Sequence, residues 1–153
     1  MIVLLAVDGS ESSDYFGRVA ALVPLQSADE VLLGHVVDAG PRGDLEMGRE
    51  RFLVRRPLSL ERGTQMTQAE QERTRIVLER ARQALMERGV PEERLRVITL
   101  RGRPNEELRR LAENEHVDLI VVRGRPGKPG PHSLGKTARF LVDHARTAAL
   151  LVR

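Results

Sequence analysis

Two groups of residues in this chain are of types and spacings that do chemistry. The first is Asp8, which ends the apolar run Met1–Val7 and opens the turn "DGSESSD". The second is the glycine-rich stretch 124–137, which contains Gly124, Gly127, Gly130 and Gly135 and ends in Lys136 and Thr137. The chain has only two lysines, Lys128 and Lys136, against 23 arginines, and both belong to this stretch. Glycines let backbone amides approach an anion closely, and a helix N-terminus adds its partial positive charge. A lysine at the start of a helix opposes the dipole, so Lys136 calls for a compensating anion such as a phosphate. Residues Gly130–Thr137, "GPHSLGKT", also fit the G-x-x-x-x-G-K-[ST] phosphate-loop pattern.

The elements that must carry these residues can be read from hydropathy. Short apolar runs predict strands at Ile2–Val7, Val31–Asp38, Leu95–Leu100, Val117–Val122 and Thr147–Arg153. Amphipathic stretches between them predict a helix from about Asp14 to Leu25, with apolar Phe16, Val19, Ala20, Leu22 and Val23. They predict another from the Thr67/Glu70 capping box to about Arg88, stopped by Gly89 and Pro91. A third begins near Pro104, and the last runs from Lys136 to His144. Strands apolar on both faces and separated by helices imply a parallel sheet. The expected fold is α/β, an open doubly wound five-stranded sheet of order 3-2-1-4-5 with helices on both faces.

One domain is expected over 1–153, with a variable insertion at about 39–65 that is rich in Gly, Pro and Arg and has no clean period. Ligands of such sheets bind beyond the carboxyl ends of the strands, at the switch point. Those ends carry "DGS", "RGRP" and the glycine stretch.

Composition narrows the function classes. Apolar content of 41% and charged content of 31% are those of a soluble globular chain. With no cysteine, disulfide scaffolds, zinc–thiolate sites and thiol chemistry are excluded. Four scattered histidines form no metal constellation, and His35, inside a strand, reads as structural. Three Phe, one Tyr and no Trp supply few stacking platforms, which disfavours nucleic acid as a partner. No apolar run approaches the roughly twenty residues of a membrane span, and the first run lacks a basic leader, so a cytoplasmic protein is expected. A true phosphate loop would begin almost at the end of a strand. Gly130 lies well beyond Val122, with no acidic strand end downstream to hold magnesium. An ATPase or phosphotransferase built on this octapeptide is therefore the weakest of the readings.

Taken together, "IVLLAVDGSESSDYFGRVA", "LLGHVVD", "GRPNEELRRLAENEHVDLIVV" and "SLGKTARFLVDHARTAALLVR" resemble the universal stress protein family along nearly the whole chain. The resemblance implies the fold derived above, ATP binding in many members, and a homodimer paired through the last strand, here Thr147–Arg153. It implies nucleotide-binding roles residue by residue. Asp8 resembles the adenine-side acid, Val36 the position whose backbone meets the base, and Gly102 the glycine near the ribose. Gly124, Gly127 and Gly135 match the glycines of the family's G-x-x-G, nine residues, G-[ST] loop. Seven residues separate Gly127 from Gly135 instead of nine, and Lys136 stands at the hydroxyl position with Thr137 one step later. Pro126, Pro129 and Pro131 stiffen the loop and remove amide donors. Lys128, Gly130, Lys136 and Thr137 complete the expected phosphate-side set. No catalytic residue and no protein-held metal is expected, magnesium entering with the nucleotide. The expected role is a regulatory, stress-response dimer with at most weak ATP hydrolysis. The alternative is a nucleotide-free dimeric interaction protein of the same fold.

Overall fold

The structure is a computed structural model of the 153-residue chain, and it describes residues 1–38, 67–125, 127, 130 and 133–153. The expected insertion at 39–65, Lys128 and His132 lie outside the described residues. In chain order the elements are β1 (Ile2–Ala6), α1 (Ser13–Leu22), β2 (Glu30–Asp38), α2 (Gln68–Met86), β3 (Leu95–Gly102), α3 (Pro104–Asn114), β4 (Leu119–Arg123), α4 (Lys136–His144) and β5 (Ala148–Val152).

The five strands form one sheet of order β3-β2-β1-β4-β5, every pair parallel, as the alternation of strand and helix patterns requires. Strand residues alternate between two cores. Val3 and Leu5 of β1 face a cluster with Phe16 and Val19 of α1 and Leu78, Ala81 and Leu85 of α2. Leu4 faces the opposite cluster, with Leu108 and Leu111 of α3 and Ala138 and Leu141 of α4. Gly34 lets α3 seat closely on β2, since a Cβ there would come 3.0 Å from Leu4 and 3.3 Å from Leu108.

The helix ends follow local chemistry. The Thr67/Glu70 capping box forms in both directions, Glu70 N–H to Thr67 at 3.2 Å and Thr67 N–H to Glu70 at 2.9 Å. Two expectations need correction. α1 ends at Leu22 and not near Leu25, because Pro24 forces Val23 into an extended conformation (φ −122°, ψ 127°) and a separate 3₁₀ turn follows at Leu25–Ser27. Leu22, read as part of the apolar stripe, is 64% exposed.

Candidate functional site

β1 and β4 are neighbours in the sheet, but the chain leaves β1 toward α1 on one face and β4 toward α4 on the other. The crevice this creates holds a cavity of about 100 Å³. Asp8, Glu11 and Arg123 supply its charged lining, Thr137 a hydroxyl, and Val36 and Leu108 part of its apolar wall. Pro104 and Thr137 belong to the first turns of α3 and α4, so two helix N-termini converge here. Neither helix has a side-chain cap at its start.

The turn from β1 to α1 is tightly tied. Glu11 folds back, and its two oxygens accept the Asp8 and Gly9 amides, each at 2.9 Å. Asp8 Oδ1 accepts the Ser10 amide at 2.8 Å and the Ser10 hydroxyl. Arg123 donates from Nη1 to the Ser10 carbonyl at 2.9 Å and to the Ser10 hydroxyl. Ser12 caps α1 by accepting the Tyr15 amide at 3.3 Å. Asp8 therefore does not cap the helix; it organises the turn and faces the cavity. His35 donates through Nδ1 to the Val7 carbonyl at 2.7 Å, which gives this strand histidine the structural role expected of it.

The charges of this turn are unequal. Burial works to raise the Asp8 carboxyl, but the Ser10 hydrogen bonds, with Glu11 and Arg123 nearby, hold it below the ordinary value. Burial pushes the Glu11 carboxyl up, and the neighbouring Asp8 charge adds to this against the amide it accepts. Glu11 is only 6% exposed. Beneath it the Tyr15 phenol is raised, first by burial and then by the Glu11 charge. The Tyr15 hydroxyl has no hydrogen-bond partner among the described residues.

Of the residues singled out from sequence, the structure brings Asp8, Val36 and Thr137 to one cavity. The other described ones are not among its lining residues. Gly102 is buried at the end of β3, where a Cβ would come 3.0 Å from Glu107. Gly124 is buried against β5, with Leu151 and Arg153 within 3.3 Å of an added Cβ. Gly127 and Gly130 are exposed, with none of the described residues within 4 Å of an added Cβ. Gly135 precedes α4 at φ +80°, and Lys136 is exposed. Glu11 and Arg123 are the charged lining that sequence reasoning missed. Arg123 is the last residue of β4, so a strand-end rule applied to cations as well as acids finds it. Among the described residues no three acids or histidines group to hold a metal ion, and no helix is long and apolar enough to cross a membrane.

Comparison with solved structures places this architecture. A universal stress protein from Lactobacillus plantarum superposes with a TM-score of 0.65 at 20% identity, covering 100% of this chain and 97% of the other. A universal stress protein solved in complex with cAMP gives 0.64 at 17%, covering 100% and 96%. A universal stress family protein from Arabidopsis thaliana, solved with AMP bound, gives 0.58 at 19%, covering 99% and 90%. At such identities the likeness shows the fold. No curated protein sequence matches the chain. The model of the universal stress protein family matches residues 1–153, the whole of the chain. The chain belongs to the universal stress protein family.

Proposed function

We propose that the chain binds an adenine nucleotide at the β1–β4 crevice and acts as a regulatory stress-response protein, a homodimer in the cytoplasm. The observation that carries this reading is the arrangement of the cavity. An ionised acid, Asp8, stands at the end of β1, while Arg123 and Thr137 stand beside the start of α4. An amino group of a base suits the first, and a phosphate suits the second. The cAMP and AMP in the two solved relatives support a nucleotide as the ligand class. ATP with magnesium remains the nucleotide proposed. The glycines Gly102, Gly124, Gly127, Gly130 and Gly135, with Lys128 and Lys136, are proposed to lie along its ribose and phosphates outside the cavity.

Catalysis is not part of the proposal. Asp8 and Glu11 are paired, which the sequence did not reveal, but both Glu11 oxygens hold backbone amides and Asp8 Oδ1 holds Ser10. The dimer is proposed through β5, which among the described residues pairs only with β4 and leaves Ala148 and Ala149 exposed at the sheet edge. Sedimentation at micromolar concentration should give twice the 17.1 kDa chain mass.

The decisive experiment is calorimetric titration with ATP, ADP and AMP, with and without magnesium, on the natural chain and on Asp8→Ala. Binding weakened at least ~10-fold in the variant, about 1.4 kcal/mol, supports the reading. No heat with any nucleotide overturns it. It would favour the nucleotide-free interaction protein, a second reading supported by Gly124, whose missing side chain is already accounted for by β5.

A further inference from the structure

The hydrogen bonds at the rim of the cavity run in one direction. Arg123 donates to the Ser10 carbonyl and hydroxyl, and that hydroxyl donates to Asp8 Oδ1. Arg123 and Asp8 both line the cavity, and the Ser10 hydroxyl joins them by hydrogen bonds. The last β1–β4 register pair is Leu5 with Val121, so the relay ties the two chain segments where the sheet no longer does. Bonds in such a chain polarise one another. A guanidinium on the Ser10 oxygen makes its O–H a stronger donor, which binds Asp8 Oδ1 more firmly. The cavity under this relay is about 100 Å³. Small-molecule sites usually measure roughly 300–1,000 Å³. A cavity of this size does not enclose a whole nucleotide.

We infer that Arg123–Ser10–Asp8 is a latch that a 5′-phosphorylated nucleoside opens and a bare nucleoside does not. This rests on the nucleotide reading above. A phosphate offers Arg123 two anionic oxygens, a stronger partner than the neutral carbonyl and hydroxyl of Ser10. Thr137 and the uncapped start of α4 lie beside it to share the anion. Once Arg123 turns to the phosphate, the Ser10 hydroxyl loses its polarising partner. The hydroxyl then holds Asp8 Oδ1 less firmly, and an amino group of the base can displace it while the Ser10 amide keeps its own bond. Phosphate recognition at one end thereby primes base recognition at the other, a coupling that requires the ligand to bind the unlatched form better.

The test compares adenosine with AMP by calorimetry on the natural chain, Arg123→Gln and Ser10→Ala. Hydrogen exchange of the Gly9 and Ser10 amides is followed in parallel. The natural chain should prefer AMP by about tenfold or more, a preference that Arg123→Gln reduces to about threefold or less. Ser10→Ala, which cuts the relay but keeps the cation, should bind adenosine several-fold more tightly than the natural chain. In the absence of ligand, Arg123→Gln should speed exchange at Gly9 and Ser10 about tenfold and leave Leu4 and Leu5 unchanged. An undiminished AMP preference in Arg123→Gln overturns the latch, as does equal weakening of both ligands in Ser10→Ala. Unchanged exchange with AMP still bound overturns the relay alone. Faster exchange with neither ligand bound by any of the three forms removes the nucleotide reading, and the gating role with it.

Discussion

The two segments that flank the crevice are built in opposite ways. Between β1 and α1, seven hydrogen bonds to side chains fix residues 8–12: two to Glu11, two to Asp8, two from Arg123 and one to Ser12. Between β4 and α4, a Cβ added at Gly127 or Gly130 meets none of the described residues within 4 Å. The β1–α1 turn is pre-organised, and pre-organised polar groups recognise ligands at the lowest ordering cost. Specificity is therefore expected from the β1–α1 turn.

The contrast breaks most directly at Gly9. Its φ is +94°, and an added Cβ would sit 2.9 Å from Val77 Cγ2 on α2. Gly9→Ala combines left-handed strain with a clash against a branched side chain, for an expected loss of about 2–3 kcal/mol in denaturant unfolding. A loss below about 0.5 kcal/mol would mean that the turn yields, and that the rigidity ascribed to it is illusory.

Glu11 gives the next effect. Its carboxyl is raised above its reference value of 4.5 by burial, so the folded chain holds that proton more tightly than the unfolded chain. Stability from this group is fully present below pH 4.5 and is lost as pH rises through the elevated folded value. Asp8, depressed below 3.8, runs the other way, its contribution present above that value and lost as pH falls. Measured against Glu11→Gln, the natural chain should be relatively most stable at and below pH 4.5 and lose that advantage as pH rises toward 7. A difference that grows with pH would reverse the assignment and make Glu11 a net electrostatic asset to the turn.

How much of this was legible in the sequence depends on what fixes each feature. The sheet order followed from periodicity, since runs such as "VLLGHVVD" can be buried only between layers. Asp8, Val36 and Thr137 followed from the rule that strand ends face the switch point, together with the family resemblance. Glu11 did not, because its return to the Asp8 and Gly9 amides exists only once Gly9 takes a positive φ. In sequence it is one polar residue of a capping stretch. Gly124 has a packing role that the sequence did not signal. It is buried against Leu151 and Arg153, residues near in space through β4–β5 pairing and distant in sequence.

Tyr15 sharpens the comparison from beneath the turn. Its ring fills the core, but its hydroxyl has no partner among the described residues and lies within reach of the Glu11 charge. A buried donor left unpaired costs about 1–3 kcal/mol. Tyr15→Phe should therefore stabilise the chain by about 1 kcal/mol with its unfolding cooperativity intact. A destabilised variant would show that the hydroxyl is bonded, through water, into the Glu11 network.

The smallest expected effect is at Gly130, and it is the complement of the first. An added Cβ there meets none of the described residues within 4 Å. Gly130 is exposed and lies seven residues past the end of β4 at Arg123, too far for a phosphate loop that begins at the strand end. Gly130→Ala should leave stability within about 0.5 kcal/mol of the natural chain. If the glycine stretch only drapes along the outer phosphates, AMP affinity should stay unchanged while ATP affinity falls by less than about threefold. A loss of AMP binding in this variant would place Gly130 against the first phosphate. The β1–α1 turn would then be the scaffold of the site, and the glycine stretch its specificity element.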